Sequence, residues 1–489
     1  MEYVRTDYRW NRRAVPLVLS ILVLGLLLVA PLMVAVVNAL AMGAWTFIQL
    51  LSLHRSARAT LTVSNSDIES EPLFFSIHLA THNEPPEVVC RTLDALAHIQ
   101  YSAYEVIVID NNTANRTLWE PVRAHCRLLG PNFTFSHRMN VEGAKAGALN
   151  IAREAASSEA QFIVTVDADY SVNADILLKA CRAIRQTNAD YIQFPQAYLS
   201  VQASQRPLIN ELGDYFVRHA QSSVLDRSML LTGTLSVINV DALDAVDGWP
   251  TTSITEDAEL GLMFQCKGYK GVFVNQHVGE GLLPPSAFEL RKQRHRWTSG
   301  NVQVLVQAFV HTARSVKISH VSQLSAWCTF LAIPYALVIA LPLFALVLPN
   351  ASWQWAPAME IALVSVVMQM LGFLALSRAC PGFFSVKWAL VLPSSWATVS
   401  ALVGSTQEFK CTRRVAGNQE RTRAYLLVCY LPLIAALTGS VVQGWWSAVI
   451  ACLLMLSSAY YYLVLDAQLK ITQDRTQCGS TNRRASHVL

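Results

Sequence analysis

Charge is spread unevenly along this chain, and the uncharged stretches come first to the eye. Pro16–Leu53 holds no Asp, Glu, Lys or Arg. One membrane span needs roughly 20 residues, so this length fits two helices joined by a turn near Pro31. Arg9, Arg12 and Arg13 precede the stretch, and Arg55 and Arg58 follow it. Positive charge on both flanks predicts a hairpin with both ends in the cytoplasm.

From Leu73 the pattern becomes that of a soluble domain. Phe74–Ala80, Glu105–Asp110, Gln161–Asp167 and Tyr191–Phe194 read as strands. Glu87–His98, Ala144–Ala156 and Asp175–Gln186 read as helices between them. Alternation of this kind predicts a mainly parallel sheet with helices on both faces. Ligands of such sheets bind beyond the carboxyl ends of the strands.

After Val302 the chain turns apolar again. Ser322–Leu348 with Trp355–Leu376, and Ala424–Val442 with Gly444–Leu465, predict two further hairpins, the first turning at Pro349 and Asn350. Val386–Val403 is apolar but holds Lys387 and Pro393. Lys410, Arg413, Arg414, Arg421 and Arg423 follow it. This basic cluster belongs in the cytoplasm, so the preceding segment is expected to lie at the interface or re-enter rather than cross. The expected layout is an N-terminal transmembrane hairpin (1–58) and a cytosolic domain (59–303). Interfacial helices and about four spans follow (304–472), then a disordered cytosolic tail (473–489). That gives about six spans in an integral, multi-pass protein of the inner (plasma) membrane.

Composition agrees with this division. The 489 residues are 53% hydrophobic and 15% charged, where a soluble domain carries about 25% charged. The net charge of +4 comes with no basic patch interleaved with aromatics, so nucleic acid is not an expected partner. Ten cysteines lie far apart with no CxxC pair, which suits reduced packing residues rather than a zinc or disulfide framework.

The candidate chemistry sits just after the strands. Asp167-Ala168-Asp169 offers two carboxylates that can share a divalent cation with a diphosphate. Asp110-Asn111 ends an earlier strand, and Thr81-His82-Asn83-Glu84-Pro85 ends the first; each reads equally as a turn. Lys145 and Gly147 stand at a helix start, where backbone N–H groups attract anions. Glu256 and Asp257 open another helix, where an acid serves either the helix dipole or a proton transfer. Gln293, Arg296 and Trp297 combine a cation with a flat ring, a combination that also marks membrane interfaces.

Taken together and in order, these pieces resemble the processive membrane branch of glycosyltransferase family 2, which includes cellulose, curdlan, chitin and hyaluronan synthases. The likeness covers about Ser76–Gln303. The wording of VIDNNT, EGAKAGALN, ITEDAELGL and KQRHRW is most similar to bacterial β-1,3 and β-1,6 glucan synthases. The resemblance implies an α/β GT-A domain inserted between transmembrane helices, and an inverting transfer of a sugar, glucose by this likeness, from a UDP-sugar to a growing β-glycan coupled to membrane translocation. It implies that Glu84 and Asp110 contact uridine and that Lys145 lies near the donor phosphates. Asp167 and Asp169 would hold UDP with Mg²⁺ or Mn²⁺. Asp257 would be the base with Glu256 beside it, and Gln293, Arg296 and Trp297 would organise the diphosphate and the acceptor end. Gln193, Gln196 and Thr232-Gly233-Thr234 would line the acceptor side. Many relatives carry two aspartates where this chain has Asp110-Asn111. The partners implied are the UDP-sugar, a glycan or glycolipid acceptor, membrane lipids and accessory secretion proteins. The rival readings are a non-processive glycolipid transferase and a catalytically silent membrane scaffold.

Overall fold

The computed structural model describes residues 25–26, 29–64, 71–199, 202–312, 315–347, 353–403 and 419–485. Most of the first half of the expected N-terminal hairpin lies outside these residues, with Arg9, Arg12 and Arg13. So do the turn at Pro349 and Asn350 and the basic residues Lys410, Arg413 and Arg414.

The soluble domain is a seven-stranded sheet in the order β3-β2-β1-β4-β7-β6-β8. The strands are β1 Phe75–Thr81, β2 Tyr104–Asn111, β3 Phe133–Arg138, β4 Phe162–Thr165, β6 Tyr191–Gln193, β7 Ser236–Asn239 and β8 Gly271–Phe273. Two further strands, β5 Tyr170–Val172 and β9 Gly279–Gly281, form a separate antiparallel pair. β1, β2, β3 and β4 run parallel, as expected. β7 is the exception, since it pairs antiparallel with both β4 and β6.

Apolar residues cover both faces of the central strands, which is why β2 and β4 read as continuous hydrophobic runs. On one face, Val106, Val108 and Val164 pack under α2 Pro86–Ala97, α3 Arg116–Leu129 and α5 Ile176–Thr187. On the other, Ile107 and Ile109 meet α4 Ala144–Glu154. There too Ile163, Tyr191 and Ile238 pack with Trp249 and with Leu260 and Phe264 of α8 Glu256–Lys267. The register brings Thr81 beside Asp110 and Ser236 beside Thr165, with Gln193 beside Ser236. The ends of β1, β2, β4 and β6 and the start of the reversed β7 therefore share one edge.

Four helices are long and apolar enough to cross a membrane among the described residues. They are α1 Pro31–Ser56, α12 Trp355–Ser377, and the apolar parts of α15 Gln419–Val442 and α16 Trp446–Ala485. The remaining helices of the domain and its membrane side are α6 Arg206–Asp214, α7 Val240–Asp244, α9 Ala287–Thr312, α10 Ile318–Leu324, α11 Ala332–Val347, α13 Phe383–Ala389 and α14 Val391–Leu402.

Two expectations are corrected. The span expected over Ser322–Leu348 is broken into α10 and α11, with residues 325–331 not helical. The polar residues around the break are committed elsewhere. Gln323 accepts from the Leu230 backbone N–H at 2.9 Å, the Ser325 carbonyl accepts from the Trp45 indole at 3.0 Å, and the Thr329 hydroxyl donates to the Val391 carbonyl at 2.8 Å. At 16 residues, α11 is shorter than an ordinary span. The tail expected from residue 473 is helical as far as Ala485. That segment contains no proline to stop the helix that enters it. Val386–Val403, expected not to cross, is divided between the short helices α13 and α14. Cys90, Cys126, Cys181, Cys266, Cys328, Cys380, Cys429 and Cys452 are free thiols.

The seating of α8 depends on a glycine. A Cβ at Gly261 would stand 2.8 Å from the Leu231 backbone nitrogen, whereas one at Gly213 of α6 would meet nothing within 4 Å. Gly261→Ala is expected to lower stability by about 1–3 kcal/mol. Gly213→Ala is expected to be neutral or stabilising by up to about 1 kcal/mol. Thermal unfolding of the two purified variants measures the difference.

Candidate active site

The shared edge of the sheet opens into a cleft of about 340 Å³. Asp167 and Asp169 line it just beyond β4, and Glu84 lines it beyond β1. Lys145 reaches in from the first turn of α4, and Thr232, Gly233 and Gln196 form the side below β6 and β7. Glu256 and Asp257 stand in the first turn of α8. Gln293, Arg296 and Trp297 complete the far wall, brought to one side of α9 by their i, i+3, i+4 spacing.

Lys145 is the electrostatic centre of the cleft. Its Nζ lies 2.5 Å from Asp167 Oδ1 and donates to the Gly233 carbonyl at 2.8 Å. Burial alone would lower its pKa, but the carboxylates of Asp167, Glu256 and Asp257 more than offset this and raise it. Burial pushes Asp257 up to about 7, helped by the neighbouring Glu256 and opposed by Lys145. Glu256 is raised by burial as well, against Lys145 and Arg296. Asp257 Oδ1 accepts from the Ala258 backbone N–H at 2.8 Å. Its other oxygen faces Gly233, where a Cβ would stand 2.7 Å from Asp257 Oδ2. With φ at +85°, this position suits glycine for conformation and for space. A carboxylate titrating near neutrality, held in a cleft and facing a cation, has the properties of a general base.

Three residues expected at the site stand behind its wall instead. Asp110 is buried and saturated: it accepts from the Thr81 hydroxyl at 2.9 Å, the Thr113 hydroxyl at 3.0 Å and the His137 ring at 2.9 Å. It ties together the ends of β1, β2 and β3 and does not line the cleft. Gln193 is also enclosed. Its oxygen accepts from the Thr232 N–H at 2.9 Å and the Ser236 hydroxyl at 2.7 Å, and its nitrogen donates to the Thr234 carbonyl at 2.9 Å. The Thr234 hydroxyl accepts from the Asp167 N–H at 3.0 Å. Gln193 and Thr234 thus shape the loops that carry Gly233 and Asp167. The cleft face near Asp110 is formed by His82, Asn111 and Asn112. His82 Nδ1 donates to the Asn111 carbonyl at 2.6 Å, and Asn112 bonds the backbone of Val141 at 2.8 and 2.9 Å. His82 belongs to the Thr81–Pro85 segment and Thr255 to ITEDAELGL, both visible in the sequence; Tyr170, Tyr198 and Leu282, which also line the cleft, carry no local signal.

No group of three His, Cys, Asp or Glu side chains converges on a metal position among the described residues. Asp167 and Asp169 nonetheless fit a hard cation that takes one or two carboxylates and completes its shell with phosphate oxygens and water. Beside Asp257 a smaller cavity of about 50 Å³ has Tyr215, Trp297 and Trp327 in its lining. Tyr215 and Trp327 are stacked, with ring centroids 5.7 Å apart and planes at 10°.

Residues 76–246 match Glycosyl transferase family 2, and residues 162–376 match Glycosyl transferase family group 2. Similar curated proteins include probable glucomannan 4-beta-mannosyltransferase 11 of Oryza sativa subsp. japonica, 25% identical over 245 residues, which are 49% of this chain and 43% of that protein. Another is the UDP-forming cellulose synthase catalytic subunit of Xanthomonas axonopodis pv. citri (strain 306), 26% identical over 235 residues, which are 47% of this chain and 31% of that protein. The chain spans about half or less of the length of these two relatives. Among solved structures, the mannosyltransferase PcManGT from Pyrobaculum calidifontis in complex with GDP-Man and Mn²⁺ aligns over 76% of this chain and 99% of that one, at a TM-score of 0.50 and 20% identity, a likeness of fold. Together the two matches span residues 76–376, so the chain carries a glycosyltransferase domain of the family 2 type.

Proposed function

We propose that this chain is a membrane-embedded, inverting hexosyltransferase that extends a β-glycan from a UDP-sugar, with glucose as the sugar. The observation that carries this reading is the placement of Asp257. Its carboxylate is held near neutral pKa in the same cleft as Asp167, Asp169, Lys145 and Arg296. Asp257 takes the proton from the acceptor hydroxyl as that oxygen attacks the anomeric carbon. The bond to the nucleotide diphosphate breaks on the opposite face, so an α-linked donor gives a β-linked product. Arg296 and Lys145 face the charge that develops on the departing diphosphate. A Mg²⁺ or Mn²⁺ ion held by Asp169 and Asp167 would supply Lewis-acid stabilisation of that same charge.

The aromatic cavity beside Asp257 favours a glycan acceptor over a lipid one. Trp297 offers a flat face that suits a sugar ring, and it lines both the cleft and this cavity beside the base, whereas Tyr215 and Trp327 are stacked on each other in the cavity wall. In this reading the catalytic domain is cytosolic, the spans lie in the inner membrane, and the growing chain passes from the cleft into them. The names of relatives include both mannosyl- and cellulose-forming enzymes, so the donor is the first thing to measure.

Membranes containing the protein are expected to release UDP from UDP-glucose and to make a β-linked glycan. Release of GDP from GDP-mannose alone would reject the donor assignment. Asp257→Asn is expected to lower transfer by about 10²–10⁴-fold while UDP binding is kept; substantial remaining turnover would remove Asp257 from the role of base.

The base works only when ionised. With its pKa near 7, kcat/KM is expected to fall about tenfold per pH unit below neutrality. Glu256→Gln removes a charge that raises Asp257, so this acid limb is expected to move to lower pH. A pH–rate profile of UDP release compares the two; identical limbs would contradict the coupling. Asp169→Ala is expected to weaken Mn²⁺-dependent UDP binding, measured by titration with and without the ion.

A further inference from the structure

Between the cleft residues of α9 stands one that the transfer reading does not use. Arg294 is only 2% exposed. One arm of its guanidinium donates to Gln293 Oε1 at 3.0 Å, and the other donates to Glu211 Oε2 at 2.7 Å. The Tyr198 hydroxyl donates to the same Gln293 oxygen at 3.0 Å. The guanidinium carbon lies 4.4 Å from the Trp297 ring centroid and 4.5 Å from that of Trp327. Glu211, 1% exposed on α6, also has Lys387 of α13 at 3.4 Å, and that ammonium lies 4.1 Å from the Trp327 ring.

The chemistry of arginine decides what this does to its neighbour. Arginine has donors and no acceptor, so the atom of Gln293 that faces it must be the amide oxygen. The amide –NH₂ group is then turned away from Arg294, and Gln293 lines the cleft. The same guanidinium rests against both indole rings, whose centroids are 5.2 Å apart, an attraction that strengthens where water is excluded. One buried side chain therefore sets the amide of Gln293 and the ring of Trp297 together. Trp297 lines both the main cleft and the aromatic cavity beside Asp257. Glu211 neutralises Arg294 there, and without a counter-ion a buried cation would be strongly disfavoured.

We propose that Arg294, with Glu211 as its counter-ion, is a positioning residue for the glycan acceptor: it presents Gln293 as a hydrogen-bond donor and fixes the face of Trp297 on which a β-linked hexose ring lies. This rests on the transfer reading above. A misplaced acceptor leaves the activated donor open to water, so hydrolysis competes with transfer. In that side reaction water attacks the anomeric carbon, its proton passes to Asp257, and free hexose and UDP leave.

The test uses the purified full chain in lipid nanodiscs with UDP-glucose. The readout is hexose incorporated into glycan per UDP released, a ratio that does not change when a variant merely lowers the amount of folded enzyme. Arg294→Lys keeps a cation opposite Glu211 but cannot span Glu211 and Gln293 with two fork arms. It is expected to lower the ratio about tenfold or more and shorten the product, while UDP affinity stays within about twofold. Gln293→Glu is nearly isosteric and keeps an oxygen facing Arg294 and Tyr198, but it replaces the donor with a second acceptor. It is expected to lower the ratio as well, and it remains informative if Arg294→Lys fails to assemble. Wild-type ratio and product length in an assembled Arg294→Lys, or a wild-type ratio in Gln293→Glu, would overturn the proposal. A wild-type protein that releases no UDP would instead reject the transfer reading on which it rests.

Discussion

The charge balance around Lys145 is the constraint on which the cleft depends. Asp167, Glu256 and Asp257 bring three carboxylates to one place; burial raises the pKa of Glu256 and Asp257, and Asp167 adds to both shifts, as Glu256 does to that of Asp257. The ammonium of Lys145 opposes both shifts and is itself held in register by Asp167 and the Gly233 carbonyl. Burial and the neighbouring Glu256 outweigh Lys145, and Asp257 is pushed up to about 7. In the proposed reaction this gives a base that is partly ionised at neutral pH and still able to take a proton.

The fold creates this meeting by direction of travel. Parallel β1, β2 and β4 all end at one edge, and β7 begins there because it runs the other way. The loop before β7 supplies Gly233, and the helix after the following turn brings Glu256 and Asp257. Gln193 and Asp110 stand one layer back, where their hydrogen bonds hold the loops in place. On the far wall, α9 is bound into the membrane side of the protein. Its first helical N–H donates to Asp466 of α16 at 3.2 Å, and Arg294 is paired with Glu211 of α6. The transferase residues on that helix are therefore fixed by elements that lie against the apolar spans.

Much of this was legible in the sequence because it is local. The strand after Gln161 and the acids that end it can be read from a run of six or seven residues. The same is true of the helix starts at Lys145 and Glu256. Gln293, Arg296 and Trp297 stand out as a short local group, and α9 is what puts them on one face. What stayed hidden depends on pairing between distant segments. β7 is only four residues long and its reversal leaves no mark in composition. Asp110 looks like a ligand-facing carboxylate until Thr81, Thr113 and His137 are seen to use its oxygens. The break after Leu324 interrupts a stretch whose average hydropathy predicts a span. It occurs because Gln323 and Thr329 bond to residues far away in the chain. Arg294 reads as one more interfacial cation, and only its partner Glu211, 83 positions earlier, makes it a buried one.

The most direct test of the central claim is a structure of the full chain with UDP and Mn²⁺. The account predicts the diphosphate in the cleft between Asp169 and Arg296, close to Lys145, with Asp257 on the side where the acceptor enters. A nucleotide bound elsewhere, or one in the cleft with Asp257 turned away from its diphosphate end, would contradict it.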